Sequence, residues 1–184
     1  SLPDFHRYYR RKAEILGHKN GLPFYDLFAP LGQMDMKFSY KKARDYIVKN
    51  FRSFSHKLAD FADNAFENRW IDAEPRDGKI GGAFCSNIHA IKASRILSNF
   101  TGTFSDITTL AHELGHAYHG YCLEEESILN SDYTMPIAET ASIFCETIIM
   151  DAALKEATEE QSFGILESSI SDSGQVIVDI YSRF

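Results

Sequence analysis

The chain has 184 residues, of which 44% are hydrophobic, and its formal net charge is −7 at pH 7. This length and composition suffice for one sizeable hydrophobic core, so we expect one domain. The acidic balance disfavours a nucleic-acid-binding surface, and the basic cluster RYYRRK at residues 7–12 is typical of the solvated face of a helix.

The cysteines and the hydropathy pattern bear on location. Cys85, Cys122 and Cys145 are an odd set without CxxC spacing, which argues against a disulfide framework and against a closed structural zinc site. No window approaches the roughly 18 uninterrupted apolar residues of a membrane span, and the N-terminus lacks the order of a signal peptide. We therefore expect a cytoplasmic protein that does not bind membranes.

Both ends of the sequence resemble cuts through a longer chain. The sequence begins without an initiator Met, and it ends within an apolar periodic run that contains no Gly or Pro stop signal. We therefore expect a piece of a larger protein, whose exposed cut surfaces would permit self-association.

Helical spacing of apolar residues dominates the N-terminal third. A first amphipathic helix is expected to end near Gly17, a second to begin after Ser39 and a third to begin after Ser55, because serine side chains cap helix N-termini. The segment LPFYDLFAPLG at residues 22–32 is broken by proline and rich in aromatic residues, which predicts an ordered connection packed on the core.

Two segments in the middle of the chain predict strands. EPRDGKIGGAFCSN at residues 74–87 leads from turn residues into a short apolar run, and ASRILSNFTGTF at residues 93–104 alternates polar and apolar residues. Helix resumes at Ser105 or Asp106 and again near Pro136, which suits a first helical turn. The predicted fold is mainly α, of the α+β class, with a small β-sheet.

The segment LAHELGHAYHGY at residues 110–121 contains an HExxH motif. His112 and His116 lie one helical turn apart on the polar side, which lets two imidazoles reach one ion about 2 Å from each. Glu113 lies beside them and is placed to take a proton from a water molecule at such an ion. The alternative is an amphipathic helix whose exposed face is rich in histidine.

Two imidazoles leave a zinc ion short of a ligand. The HExxHxxGxxH extension requires glycine and histidine at positions 119 and 122, where this sequence has His119 and Cys122. Glu139, 23 residues after His116 in the next apolar helix, is the remaining option. Glu139 and Glu146 share a helix face among apolar residues, where a buried carboxylate requires a partner such as a cation. An exposed helix start is the alternative for Glu139.

Two further residues near the motif have open roles. Glu146 is expected to accept a hydrogen bond that orients an imidazole, with ordinary surface or core pairing as the alternative. His119 shares the face of the two other histidines but lies most of a turn further along the helix. This position favours a structural or pocket-wall histidine over a ligand.

The segments TLAHELGHAYHG, PIAETASIFCE, GKIGGAFC and NFTGTFSD together resemble the oligoendopeptidase F branch of the thimet oligopeptidase family of zinc metallopeptidases. The resemblance implies a zincin-like helical catalytic domain with the small sheet beside the HExxH helix. It also implies that residues 1–184 are a single partial catalytic domain, without the family's N-terminal helical region and the C-terminal part of that domain.

The resemblance further implies a zinc metalloendopeptidase that hydrolyses short peptides. Carried over position by position, it implies that His112, His116 and Glu139 hold one Zn²⁺ ion and that Glu113 is the general base. Family members also supply a histidine and tyrosines, well downstream of the third ligand, that bind substrate and stabilise the oxyanion. Because the sequence stops before that segment, residues 1–184 alone are expected to be nearly inactive, and a non-catalytic zinc-binding or peptide-binding module is the competing hypothesis.

The resemblance also implies that Gly82, Ala83 and Phe84 belong to a strand that pairs with the peptide substrate. Glycines let a second backbone approach closely, and an exposed strand edge can bind an extended peptide through main-chain hydrogen bonds. A structural bulge or turn is the alternative for each of these residues.

Overall fold

The computed structural model describes residues 2–32, 36–180 and 182. The helices within these residues are α1 (Leu2–Ile15), α2 (Tyr40–Phe54), α3 (His56–Glu67), α4 (Phe104–Cys122), α5 (Met135–Glu156) and α6 (Glu159–Gly174), and the strands are β1 (Ile71–Asp72), β2 (Phe84–Ile88) and β3 (Ala93–Leu97). A π-helical segment, Gln175–Ile180, follows α6. The prediction of a mainly helical α+β chain is confirmed. Among the described helices, none is long and apolar enough to cross a membrane.

The chain divides into two compact units. Residues 1–35 and 156–184 form one unit, and residues 36–155 form the other. The second unit contains the sheet, α2 to α4 and almost all of α5. The expectation of a single partial catalytic domain stays a prediction.

Polar side chains cap α2, α3 and α4, and the caps of α2 and α3 are the serines that the sequence predicts. The Ser39 hydroxyl accepts a hydrogen bond from the Lys42 backbone N–H, and the Ser55 hydroxyl accepts one from Leu58, each at 3.3 Å. Thr103 caps α4, so this helix begins at Phe104, just before the two predicted starts, Ser105 and Asp106. The Thr103 hydroxyl accepts a hydrogen bond from the Asp106 backbone N–H, and the Asp106 carboxylate accepts one from the Thr103 backbone N–H at 2.9 Å. The two bonds form a capping box.

One side of α4 is buried along the length of the helix. Its fully buried residues are Ile107, Leu110, Ala111, Leu114 and Ala117. These are the residues that the helical spacing places opposite the histidines. Because this side packs on the core, only the histidine side of α4 is available for binding.

The sheet has the strand order β1-β3-β2, so β2 is an edge strand. β2 is antiparallel to β3, with Phe84 opposite Leu97 and Ile88 opposite Ala93. The two predicted strands are thus observed. β1 pairs in parallel with β3 and is not anticipated by the sequence, because two residues are too few to show a periodicity.

The expectation that the segment at residues 22–32 packs on the core is wrong for its aromatic residues. Phe24 and Tyr25 are 72% and 80% exposed, although Leu22 and Leu27 are half-buried. The segment forms a single turn of 3₁₀-helix, Phe24–Asp26. One turn has one inward side, which the leucines occupy, and the aromatic side chains point away from it.

Candidate metal centre

A glycine brings the backbones of α4 and α5 together beside the HExxH motif. A Cβ atom on Gly115 would lie 2.6 Å from the Ala141 carbonyl oxygen and 2.7 Å from the Ser142 Cα atom. Real Cβ atoms essentially never approach other atoms so closely, so only glycine permits this helix crossing. The crossing places the start of α5 against the polar side of α4.

Three potential ligand atoms converge at this crossing. The Nε2 atoms of His112 and His116 are 3.0 Å apart, and the Oε2 atom of Glu139 lies 3.2 Å and 3.4 Å from them. A tetrahedral ion about 2 Å from each donor separates its ligand atoms by about 3.3 Å. The observed spacing therefore fits a tetrahedral metal site with three protein ligands, and this is the group in the described residues that could hold a metal ion.

Hydrogen bonds on the far side of each imidazole orient the two rings. The Nδ1 atom of His112 contacts the Oε1 atom of Glu146, and His116 donates to the backbone of Ala138. An imidazole that donates through one nitrogen presents the lone pair of the other nitrogen. Both rings therefore present an acceptor nitrogen to the centre of the group.

Glu139 is held from within its own helix. The hydroxyl of Ser142, a fully buried residue, donates to the Oε2 atom of Glu139 at 2.8 Å and to the Glu139 backbone carbonyl at 3.0 Å. Serine three residues after the glutamate is one turn away on the same face. The bond fixes the rotamer of the carboxylate that faces the imidazoles.

The expectation that Glu139 and Glu146 are buried is wrong. Their side chains are 38% and 37% exposed, and the apolar neighbours Ile137, Ile143 and Phe144 are exposed as well. Apolar composition alone does not show whether another element covers a helix face. The case for a metal site here depends on the convergence of the ligand atoms and not on burial.

Glu113 is the buried acid of the site. It is 5% exposed, and its Oε2 atom has no hydrogen-bond partner among the described residues. Burial raises the pKa of Glu113 to about 6, and the charges of Glu139 and Glu146 add to that effect while His112 opposes it. Glu113 therefore holds or releases a proton close to neutral pH.

The two histidines respond differently to this environment. Burial lowers the pKa of His112, but the hydrogen bond and the charge of Glu146 outweigh it, so that the pKa of His112 is raised. The pKa of His116 is lowered by burial and by the neighbouring His112. His116 is thus the imidazole that more readily stays neutral, as a metal ligand must.

We expect the metal-free protein to lose stability as pH rises through the titration of Glu113. The folded state keeps its proton up to about pH 6 and the unfolded state only to about 4.5, so the folded state binds more protons between these values. The free energy of unfolding therefore falls across that window. Glu113→Gln removes this loss and should stabilise the protein by about 1 to 2 kcal/mol at pH 7.5, but little at pH 4.5.

Urea unfolding with a chelator present, at pH 4.5 and pH 7.5, measures this difference. Glu74→Gln is the matched control, because Glu74 is exposed and lies outside the site. An effect of Glu113→Gln that is the same at both pH values would contradict the prediction.

The remaining predicted residues are not among the three potential ligands. Gly82 has a φ angle of +81° and lies with Ala83 in the turn before β2, whereas Phe84 is the first residue of the strand and is 48% exposed. This placement favours the turn alternative for Gly82. Substrate pairing by these three residues stays a prediction.

His119 does not join the three ligand atoms. Its ring stacks on Tyr133, with centroids 4.1 Å apart and planes 14° apart. Tyr133 and Ser142 are neighbours of the site that are not among the residues predicted from the sequence. The Glu139–Ser142 spacing of one helical turn is a sequence signal for Ser142, but no local pattern indicates Tyr133.

In this mainly helical chain, an HExxH helix and a glutamate of a second helix contribute to one group of potential metal ligands. These are the features of a candidate metallopeptidase. Residues 3–174 match the family model described as Peptidase family M3. The chain belongs to this family, and the predicted relationship to oligoendopeptidase F is confirmed.

Curated relatives are similar over most of the chain. Oligoendopeptidase F, chromosomal, from Lactococcus lactis subsp. cremoris is 34% identical over 188 residues, which cover 100% of this chain and 30% of the relative. Group B oligopeptidase PepB from Streptococcus agalactiae serotype III is 34% identical over 167 residues, which cover 90% of this chain and 28% of the relative. The chain thus spans less than a third of the length of these relatives.

A solved structure is similar in fold to this chain. The crystal structure of a suggested peptidase from Chlamydophila abortus is similar with a TM-score of 0.78 and 28% sequence identity. The similarity covers 95% of this chain and 29% of that chain.

Proposed function

We propose that this chain supplies the zinc-binding and proton-transfer residues of a zinc metalloendopeptidase that hydrolyses short peptides. The convergence of two imidazole nitrogens and one carboxylate oxygen at tetrahedral spacing, beside Glu113, is the observation that carries the proposal. Membership of Peptidase family M3 supports it independently. We further propose a cytoplasmic location, for which the sparse, unpaired cysteines are the support.

His112, His116 and Glu139 would hold the ion, and Glu146 would keep His112 in the tautomer that binds metal. Two nitrogen donors and one oxygen donor are a common ligand set of catalytic zinc, which leaves one coordination position open. When bound, zinc supplies a Lewis acid that acidifies water and polarises a carbonyl group.

Glu113 moves the proton in this proposal. Its carboxylate accepts the proton that a water molecule loses on attacking the peptide carbonyl, and it then donates that proton to the leaving amine. A base that is also to act as an acid works best with a pKa near the working pH, and in the metal-free protein burial raises the pKa of Glu113 to about 6. Because the side chain is 5% exposed, bulk water competes little for that proton.

The edge strand β2 is the proposed binding surface for the peptide. It runs beside α4, and one of its edges is unpaired within the described sheet. Phe84 and Ile88 are exposed apolar residues at the two ends of this strand. An extended peptide can add to such an edge through main-chain hydrogen bonds, which favours short, unfolded substrates over folded proteins.

Zinc titration of the metal-free 184-residue chain, followed by a peptide assay, tests the proposal. We expect one equivalent of zinc to bind, and zinc-dependent cleavage of a quenched fluorogenic peptide that a chelator abolishes and added zinc restores. The assay should run for hours, so that slow cleavage is also detected.

Failure to bind one equivalent of zinc would contradict the proposed metal site. Stoichiometric zinc binding without any cleavage would instead favour the non-catalytic zinc-binding module. These two outcomes separate the metal site from the chemistry.

A further inference from the structure

Asn87 connects the edge strand to the metal helix. Its Nδ2 atom donates to the backbone carbonyl of His116, at 3.3 Å. Cys85 lies two residues earlier on the same side of β2. Burial raises the pKa of its thiol, and the nearby charge of Glu113 adds to that effect. β2 therefore runs along α4 from Glu113 to His116. Asn87 bonds to α4 at the His116 end.

A glycine on α4 makes room for the Asn87 amide. A Cβ atom on Gly120 would lie 2.3 Å from the Cγ atom of Asn87 and 2.5 Å from its Nδ2 and Oδ1 atoms. Any larger residue at position 120 would have to expel the amide from its place against the helix backbone. Gly120 lies in the last turn of α4, where glycine is less favourable than alanine by up to about 1 kcal/mol, so the amide is a reason for glycine here.

Both the nitrogen and the oxygen of the Asn87 side-chain amide form hydrogen bonds. The Ser94 hydroxyl of β3 donates to Oδ1 at 2.7 Å, and a further side-chain hydrogen bond joins Asn87 to Tyr133. Tyr133 in turn stacks on His119, one turn beyond His116 on α4. One amide thus joins β2, β3, α4 and the segment that precedes α5.

We propose that Asn87 is a positioning residue for peptide hydrolysis, which sets the distance between the free edge of β2 and the metal-binding turn of α4. This role rests on the proposed function. A peptide paired with β2 can present its carbonyl to the metal group only if strand and helix keep a fixed separation. Asn87 bonds directly to the turn that carries His116, and Gly120 is the residue that admits it.

Partial exposure limits the contribution of these bonds to stability. Asn87 is exposed, and hydrogen bonds that water can replace contribute little to folding. Their geometric effect is larger, because a shift of about 1 Å at a reacting group can lower the rate by up to about 10²-fold. We therefore expect loss of the amide to affect hydrolysis more than folding.

A double-mutant cycle with Asn87→Ala and Gly120→Ala tests the role. Each single change should lower kcat/KM about tenfold and leave the zinc dissociation constant within about threefold, because no metal ligand is altered. The double variant should match the single variants instead of losing about a hundredfold, since alanine at position 120 acts only by expelling the amide. Asn68→Ala is the matched control: Asn68 also donates to a helix carbonyl, at 2.9 Å, but on α3.

Thermal unfolding supplies a readout that does not depend on activity. In the Asn87→Ala background, Gly120→Ala should raise Tm by about 2 to 4 °C, because alanine favours helix. In the presence of Asn87 this gain should be absent. Asn87→Asp keeps the Ser94 bond but loses the donor to His116, and it should lower kcat/KM as Asn87→Ala does.

Three results would overturn the proposal. The first is an Asn87→Ala variant with unchanged kcat/KM, and the second is a double variant whose losses multiply. The first two results presuppose a wild-type chain that cleaves peptide, so they would leave the proposed function intact. The third is a wild-type chain that cleaves no peptide, which would remove the proposed function and this role together, even if the Tm values still showed that residues 87 and 120 are coupled.

Discussion

Glu139→Ala should raise the zinc dissociation constant by about 10³-fold, because it leaves two imidazoles to hold an ion that prefers at least three protein ligands. The fold should persist, since the side chain is 38% exposed and its hydrogen bonds are made within α5. Competition with a chromophoric chelator measures the constant. Unchanged zinc affinity would remove Glu139 from the site.

A series along α5 separates the proposed roles. Glu146→Ala removes only the acceptor of the His112 Nδ1–H group, and such indirect supports typically contribute about 10- to 100-fold to metal affinity. Thr140→Ala is the matched control, because Thr140 is an exposed residue of the same helical turn as Glu139. We expect the loss of affinity to decrease in the order Glu139→Ala, Glu146→Ala, Thr140→Ala.

Local sequence patterns predict those parts of this fold that local physics determines. Serine caps and apolar spacing predict the starts of α2 and α3, and the 100° rotation per residue separates the buried side of α4 from His112 and His116. The seven-residue spacing of Glu139 and Glu146 places both carboxylates on one face of α5. The structure brings that face of α5 to the two imidazoles, and Glu146 contacts the Nδ1 atom of His112.

Features that depend on tertiary contacts have no comparable signal. The close crossing of α4 and α5 depends on Gly115, and a glycine in a helical pattern does not reveal which backbone approaches it. The exposure of Glu139 depends on what lies over α5, which composition does not specify. Likewise, the Asn87–Gly120 contact joins residues that are 33 positions apart and shows no periodicity.

Glu113→Gln should retain zinc and lower the rate of peptide hydrolysis by about 10³-fold, because an amide of nearly the same shape cannot accept the proton of the attacking water. Glu113 lies beside the three proposed ligands without being one of them, so the zinc dissociation constant should change little. The same variant should be more stable than the wild type at pH 7.5 in its metal-free form. Lost hydrolysis together with higher stability cannot result from unfolding.

The rate with a quenched fluorogenic peptide and the zinc affinity should be measured on the same preparation of Glu113→Gln, with Glu74→Gln as the control. Glu113→Asp adds a second comparison, because it keeps a carboxylate but withdraws it by one methylene group, so its rate should lie between those of the wild type and Glu113→Gln. Retention of more than about a tenth of the wild-type rate by Glu113→Gln would exclude Glu113 as the general base, since such a base contributes at least about 10²-fold. The proton would then have to move through another group, and Glu139 and Glu146 are the carboxylates close enough to raise the pKa of Glu113.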